Sequence, residues 1–429
     1  MNIPEFVIFI LDTLKEAGYD AYIVGGAVRD ACMKRAIADW DVVTSAQPEE
    51  IKGVFRHKKF FALKHNTVTL VNPDIQVQVT AYKGEKQSLE HDLSHRDFTI
   101  NSMAFDPGNN LIIDPYKGQL DIAGKTIRTT GSPAERFRED PLRLLRAVRL
   151  ATGLRFKIAK ETLKVITETA LLLPSAASER IRDELLKILI CSTPSYGFNL
   201  MVKTGLLRQF LPELLEGYGK RQNTYHRHTI FKHIMETVSR VKPVPLLRLT
   251  ALFHDIAKPR VMKETGGMRT FYGHEDASAL MAGEIMDRLR FSHDMIRKVT
   301  NLIRHHMINY NSEWSDGAVR RMIRRVGITD ITDLLHVRRA DLLAHGLHDN
   351  QLFLLSELEA RVKKLIQRPV FTKSSELAID GHKVMELYRI PPGPEVGKTL
   401  KKLQEKVIDN PELNNTKTLL SILEEMKKA

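Results

Sequence analysis

Two aspartates one residue apart, Asp39 and Asp41 in DWDVVT (39–44), stand shortly after a diglycine in VGGAVRD (24–30). On an extended strand that spacing points both carboxylates to one face. Paired hard oxygens suit Mg²⁺, which keeps octahedral places for water and phosphate and so supports metal-assisted phosphoryl transfer. Gly25 and Gly26, between a strand and a helix, let backbone N–H groups and the helix N-terminus approach a triphosphate. Arg29, one turn on, adds a charge-assisted contact. Taken singly, an Asp-x-Asp pair is more often a solvated turn and a diglycine a plain one; the ordered set is far more specific. A second constellation is EDPLR, in which Asp140 and Arg143 lie three apart on one face of an expected helix. A carboxylate acceptor beside a guanidinium fork can address the Watson–Crick edge of a base without a template strand. As a bare pair the two would be an exposed ion pair. A third is a set of histidine-bearing segments, HTIFKHIMETV, LTALFHDIAKP, FYGHEDASAL, LIRHHM and RRADLLAHG. Imidazoles with carboxylates suit divalent transition metals, whose bound water attacks phosphoesters.

The elements that must position these groups change character along the chain. Residues 1–130 read as helix near 5–17, strand at 20–24, glycine turn, helix into Cys32 and Met33, strand at 40–44, and further β-rich runs at 67–71 and 75–82. From about 133 the apolar residues recur at three- and four-residue spacing, as in PLRLLRAVRLATGL and ERIRDELLKILI, so the rest is expected to be almost wholly helical. Polar, glycine-containing breaks stand at 216–228 and 366–395. The expected fold class is an α/β head, a mixed sheet with flanking helices, followed by all-α domains.

Composition narrows the function classes. The chain has 429 residues, 43% hydrophobic and 27% charged. No stretch approaches the roughly 18 apolar residues of a membrane span. The formal net charge of +13 points to a polyanionic partner. The two cysteines, Cys32 and Cys191, lack metal-ligand spacing and form no disulfide framework, which fits a reduced cytoplasmic setting. The N-terminal MNIPEFVIFILDTLKEAG carries acidic residues in a helical period and reads as a first helix, not a signal peptide.

Five motifs in order, VGGAVRD, DWDVVT, HRDFTINSMAF (95–105), EDPLR (139–143) and ASERIRDELLKIL (177–189), resemble the poly(A) polymerase and bacterial-type tRNA CCA-adding nucleotidyltransferase family. His95 and Ser102 replace that family's usual arginine and alanine. The resemblance implies a nucleotidyltransferase head at 1–130, a helical neck and body at 131–220, an HD domain at 221–350 and a helical tail at 351–429. It implies Mg²⁺ on catalytic Asp39 and Asp41, with nucleotide binding by Gly25, Gly26, Arg29, Arg96, Asp97, Asn101, Asp140 and Arg143. Arg146 and Arg149, with Arg128, Arg136 and Arg138, are candidates for triphosphate or tRNA backbone. The implied partners are tRNA and CTP, with ATP if the full CCA end is made.

Two departures bear on the expected reaction. VQVTAYKGEKQSLEHDL (77–93) joins strand to helix with almost nothing, where CCA-adding relatives have a flexible segment of well over ten residues. By resemblance that segment switches the pocket from cytosine to adenine, and its shortening marks enzymes that add only CC. Gln78 stands where the family strand often has a glutamate, so the metal centre is expected to rest on Asp39 and Asp41 alone. The alternatives are full CCA addition, poly(A) addition, and an HD-type phosphohydrolase with a degenerate head. The doublet His254-Asp255, with His233 upstream and Asp341 downstream, resembles the HD phosphohydrolase superfamily, which implies a further divalent metal there; His274 and His306 could extend the site.

Overall fold

The structure, a computed structural model, describes residues 1–63, 67–82, 88–222, 228–266, 268–346, 349–367 and 376–428. The shortened connection at 83–87, and parts of the breaks at 216–228 and 366–395, lie outside the described residues. The chain divides into two compact units, Met1–Pro212 and Glu213–Ala429.

The first unit is built on a seven-stranded mixed sheet of β1 (Ala21–Val24), β2 (Trp40–Thr44), β3 (Phe60–Leu63), β4 (Thr67–Val71), β5 (Gln76–Ala81), β6 (Ala104–Asp106) and β7 (Leu111–Ile113). Their order is β3-β4-β5-β2-β1-β6-β7, and only β2 with β5 is a parallel pair. Period-two alternation decides the faces. Ile23, Val42, Val77 and Val79 point into a core with α1 (Glu5–Glu16), α2 (Gly26–Cys32) and α3 (Pro48–Val54). The opposite parity, Val24 and Val43, packs against Leu93 of α4 (Leu89–Ser94). Asp41 shares that second parity.

Four strands and three helices were expected in this region; β3, β6, β7 and α3 were not. Three-residue strands are too short to show a period, and α3 announces itself only by its cap, in which Gln47 and Glu50 form a reciprocal capping box ahead of Pro48. The head is followed by α5 (Gly118–Ala123), α6 (Pro133–Glu139), α7 (Arg143–Leu154), α8 (Lys160–Thr169), α9 (Ser178–Leu189), α10 (Pro194–Lys203) and α11 (Leu206–Phe210). A small parallel pair, Thr126–Ile127 with Lys157–Ile158, interrupts this otherwise helical run.

Among the described residues, the second unit is helical apart from the hairpin Lys263–Thr265 with Met268–Thr270. Its helices are α12 (Ile230–Arg240), α13 (Pro245–Phe253), α14 (Lys258–Val261), α15 (His274–Arg288), α16 (His293–Arg304), α17 (Asp316–Val326), α18 (Ile331–His345), α19 (Asp349–Ile366), α20 (Gly381–Tyr388), α21 (Pro394–Asp409) and α22 (Thr416–Lys428). The last three enclose a small core of their own around Val384, Leu403, Val407, Leu419 and Leu423. That core is tied to α17 by Arg321 on Asp409 at 2.6 Å and Arg324 on Glu405 at 2.8 Å.

Candidate functional site

The acidic pair sits on the inner strand β2. Trp40 and Val42 are buried beneath it, and alternation turns Asp41, half-buried, and Asp39, exposed just before the strand, to the other side. Asp41 lies in register with Val24 on one neighbouring strand and Gln78 on the other. Gly25 follows at once with φ +72°, and a Cβ there would stand 3.1 Å from Arg96 Nη1 and 3.7 Å from Asp41 Oδ2. Only glycine leaves this space open. Two carboxylates with the exposed Gln78 carbonyl beside them make an oxygen donor set that fits a hard divalent ion, and the bare Gly25 backbone leaves room above it for phosphate.

Arg96 is held from below by the buried Asp92, Nε donating at 3.0 Å. Behind it runs a chain of charge-assisted bonds. Arg29 donates to Asp30 at 2.9 Å and to Asn101 Oδ1 at 2.9 Å; Asn101 Nδ2 donates to Asp97 at 3.0 Å; Arg146 reaches the other Asp97 oxygen at 2.7 Å. Burial pushes the Asp97 carboxyl up, but the Arg146 guanidinium, the Asn101 amide and the Phe98 N–H outweigh it and hold it below the usual carboxylate range. The turn carrying Asn101 is pinned by Thr99 donating to Asp121 at 2.7 Å, and Arg128 donates to the same carboxylate at 3.1 Å.

EDPLR departs from the expected geometry. Asp140 and Arg143 do not share a helix face: α6 stops at Glu139, Asp140 is extended at φ −145°, ψ 96°, and α7 begins at Arg143. Pro141 is the reason, because it disfavours the helical region for the residue before it. Arg143 instead donates to Glu139 at 2.9 Å and to the His95 carbonyl at 2.9 Å, bringing HRDFTIN to EDPLR. Asp140 is gripped at 2.8 and 3.2 Å by both terminal nitrogens of Arg180 on α9. Arg180 was not singled out in the sequence, although it opens the ERIRDEL motif and a cation there is the natural counterpart of a solvent-facing acid. Arg149 donates to the buried Glu184 at 2.6 Å, and Arg136 to the Ser94 carbonyl at 3.2 Å.

The second unit buries a histidine–aspartate cluster. His233 comes from α12, His254 and Asp255 from the turn after α13, His274 from the first position of α15, His306 from just past α16, and Asp341 from α18. All six are nearly inaccessible. The Ala257 N–H donates to Ser278 Oγ at 3.1 Å, fixing the His254-Asp255 turn against α15. Three groups in the cluster have ligand geometry: His233, Asp341 and His345; His233, His254 and Asp255; Asp255, His274 and His306. His345, four residues after Asp341 and stacked 4.7 Å from His233, was missed, although i,i+4 spacing on a helix was a visible signal. Burial pushes His254 down, but Asp255 and Asp341 raise it to about 10; burial and the facing His254 take His306 to about 3.

Comparison with known proteins follows these lines. Three family models match: "Poly A polymerase head domain" over residues 21–128, "Probable RNA and SrmB-binding site of polymerase A" over 155–217, and the tRNA nucleotidyltransferase domain 2 over 273–423. The CCA-adding enzyme of Lactobacillus johnsonii is 31% identical over 96% of this chain and 96% of its own. That of Limosilactobacillus reuteri is 29% identical over 98% and 96%. The crystal structure of the Bacillus stearothermophilus CCA-adding enzyme in complex with CTP superposes with a TM-score of 0.74 at 27% identity, covering 100% of this chain and 98% of that one. With a sheet that carries its acids on an inner strand and a helical remainder alike from end to end, the chain belongs to the CCA-adding enzyme family of nucleotidyltransferases.

Proposed function

We propose that this enzyme extends tRNA 3′ ends with cytidylate only, adding CC and stopping before A. The observation that carries this reading is the connection between β5 and α4. Tyr82 is buried and its N–H donates to the Thr44 carbonyl at 2.9 Å, while Ser88 Oγ caps α4 by accepting from the His91 N–H at 3.4 Å. Five residues, 83–87, join these anchors. Turning a base-reading pair between two nucleotide geometries needs a lever, and five residues joining two anchored ends give little length for one. The named relatives are CCA-adding enzymes, so full CCA addition is the competing outcome.

In this reading the tRNA 3′-hydroxyl attacks the α-phosphate of CTP in line, and pyrophosphate leaves. Mg²⁺ held by Asp39 and Asp41 would supply neutralisation of the charge developing on the phosphates. Arg96 faces the triphosphate across Gly25, and Arg29 and Asn101 line the path behind it. Asp97 and Arg146 keep that pair in place. Asp140 and Arg143 read the base edge, each already fixed by a partner, Arg180 and Glu139, so little ordering is left to the bound state. The basic helices beyond the head grip tRNA through its phosphates. The deciding measurement is product mass on tRNA ending at its discriminator base, with CTP and ATP together. Addition of two cytidylates supports the proposal; rapid completion to CCA overturns the restriction, and no cytidylate addition overturns the reading of the head.

The cluster in the second unit supports a separate proposal, a divalent ion on His233, His254, Asp255 and Asp341. The deeply buried Asp255 meets one ammonium, Lys258 Nζ at 2.7 Å from Oδ2, while its Oδ1 faces only imidazoles, His274 Nε2 at 3.3 Å and His306 Nε2 at 3.8 Å. A desolvated carboxylate oxygen among imidazoles is costly, and a divalent ion there offsets the cost.

A further inference from the structure

The register of the head's sheet brings a further residue into the reaction, on the reading that Asp39 and Asp41 hold the divalent ion. We propose that Gln78, with Gln76 beside it, keeps the resting head a weak ion site that fills only together with a triphosphate. Gln78 thereby sets the order of events: nucleotide and ion bind as one, and pyrophosphate carries the ion away.

Strand pairing puts two amides next to the two acids. β2 and β5 run parallel with Trp40 opposite Val77 and Asp41 opposite Gln78, and the same register continued one residue back sets Gln76 beside Asp39. Val77 and Val79 turn into the core with Trp40 and Val42, so alternation brings Gln76 and Gln78, both exposed, to the face that carries the acids. On its far side Gln78 lies opposite Thr69 of β4, which adds no charge. Neighbouring strands stand about 4.8 Å apart, a gap that a glutamine side chain spans, so its carbonyl oxygen reaches an ion seated on Asp41. Among the described residues neither amide is taken up by another group, which leaves that oxygen available.

What the amides lack is charge. Affinity for a hard divalent ion follows the number of charged ligands and the rigidity with which they are held. Here the two carboxylates bring all the negative charge, and a guanidinium stands close by: a Cβ on Gly25 would lie 3.1 Å from Arg96 Nη1 and 3.7 Å from Asp41 Oδ2, so cation and acid flank one small gap. A single divalent ion already neutralises the pair of acids, and the neighbouring arginine repels it. A triphosphate reverses both effects, because its oxygens add charged ligands to the ion and meet Arg96 directly. Ion and nucleotide are then positively coupled, each raising the affinity for the other by the same factor. After transfer the added ligands belong to pyrophosphate, and two acids beside two neutral amides hold little back. A glutamate at position 78 would supply the missing charge permanently and remove the dependence on nucleotide.

The test uses the full chain carrying Trp314→Phe, which leaves Trp40, placed between the acids, as its one tryptophan. Mn²⁺ in place of Mg²⁺ quenches a nearby indole, so the emission reads ion binding in the head without any turnover. Half-quenching should need roughly tenfold more Mn²⁺ without nucleotide than with α,β-methylene CTP, whose α-phosphate cannot be transferred. Gln78→Glu should lower the requirement without nucleotide by about tenfold and shrink the effect of the analogue to nearly nothing, with a circular dichroism melt close to the parent's. Equal half-quenching in Gln78→Glu and the parent, or tight quenching in the parent without nucleotide, overturns the role of Gln78 and leaves the acids as ion holders. Quenching that survives the paired change Asp39→Ala, Asp41→Ala, or none in the parent even with the analogue, overturns the acids as ion holders and this inference with them.

Discussion

At the scale of single residues, the proposed chemistry rests most on Asp41 of β2 and on Asp39 just before it. Asp39→Ala or Asp41→Ala is expected to lower cytidylate incorporation by a hundredfold or more, about the scale at which removing one electrostatic group from a transition state is felt, while leaving the thermal melt near its parent value. Primer-extension rates and a circular dichroism melt check both halves. Asp97 differs because its carboxylate is taken up by Asn101 and Arg146, and through Asn101 it is linked to Arg29. Its carboxyl is held below the ordinary range in the folded chain. Its contribution to stability is therefore complete above the unfolded-state value, about 3.9, and fades as pH falls through the lower folded value. Asp97→Asn should cost about 1–3 kcal/mol near neutrality, and melts taken from pH 7 down to 3 should show the gap to the parent narrowing only below about pH 4. The placement of Asp41 on a strand, and of the diglycine between a strand and a helix, was legible from spacing alone. Arg180, Asp92 and Glu184 were not, because a supporting partner is defined by a tertiary neighbour far away in sequence.

At the scale of elements, the diglycine and the proline break set the geometry. Gly25 needs a positive φ and borders Arg96, whereas a Cβ on Gly26 would meet only the Arg29 guanidinium at an ordinary 3.5 Å. Gly25→Ala is thus expected to cost about 1–2 kcal/mol in backbone strain and to lower turnover at least tenfold, with Gly26→Ala milder on both counts; melts and extension rates on the two variants separate them. The strands flanking the acids were readable because β-branched residues alternate there, and the helices because apolar residues recur at helical spacing. The interruption at Asp140 was overlooked although Pro141 announces it: the i,i+3 spacing of Asp140 and Arg143 suggested continuity, and the proline rule for the preceding residue wins.

At the scale of the whole molecule, the net charge of +13 anticipates electrostatic capture of a polyanion. The logarithm of tRNA affinity should fall linearly and steeply with the logarithm of salt, as filter-binding titrations would register; a flat line would remove the phosphate grip. Charge and composition were plain in the sequence; the convergence of five helices of the second unit on Asp255 was expected there only through the resemblance, since each histidine taken alone is an unremarkable helix residue. The position of β2 has one further consequence. It is the fourth of seven strands, bonded on both sides, so the peptide groups around Asp41 cannot open unless the sheet itself opens. Deuterium uptake at residues 41–43 should be among the slowest in the first unit and should barely change when nucleotide arrives. In the proposed reaction, any adjustment to the incoming base would then belong to the helical junction at Asp140, and the platform beneath the phosphates would behave as a rigid anvil.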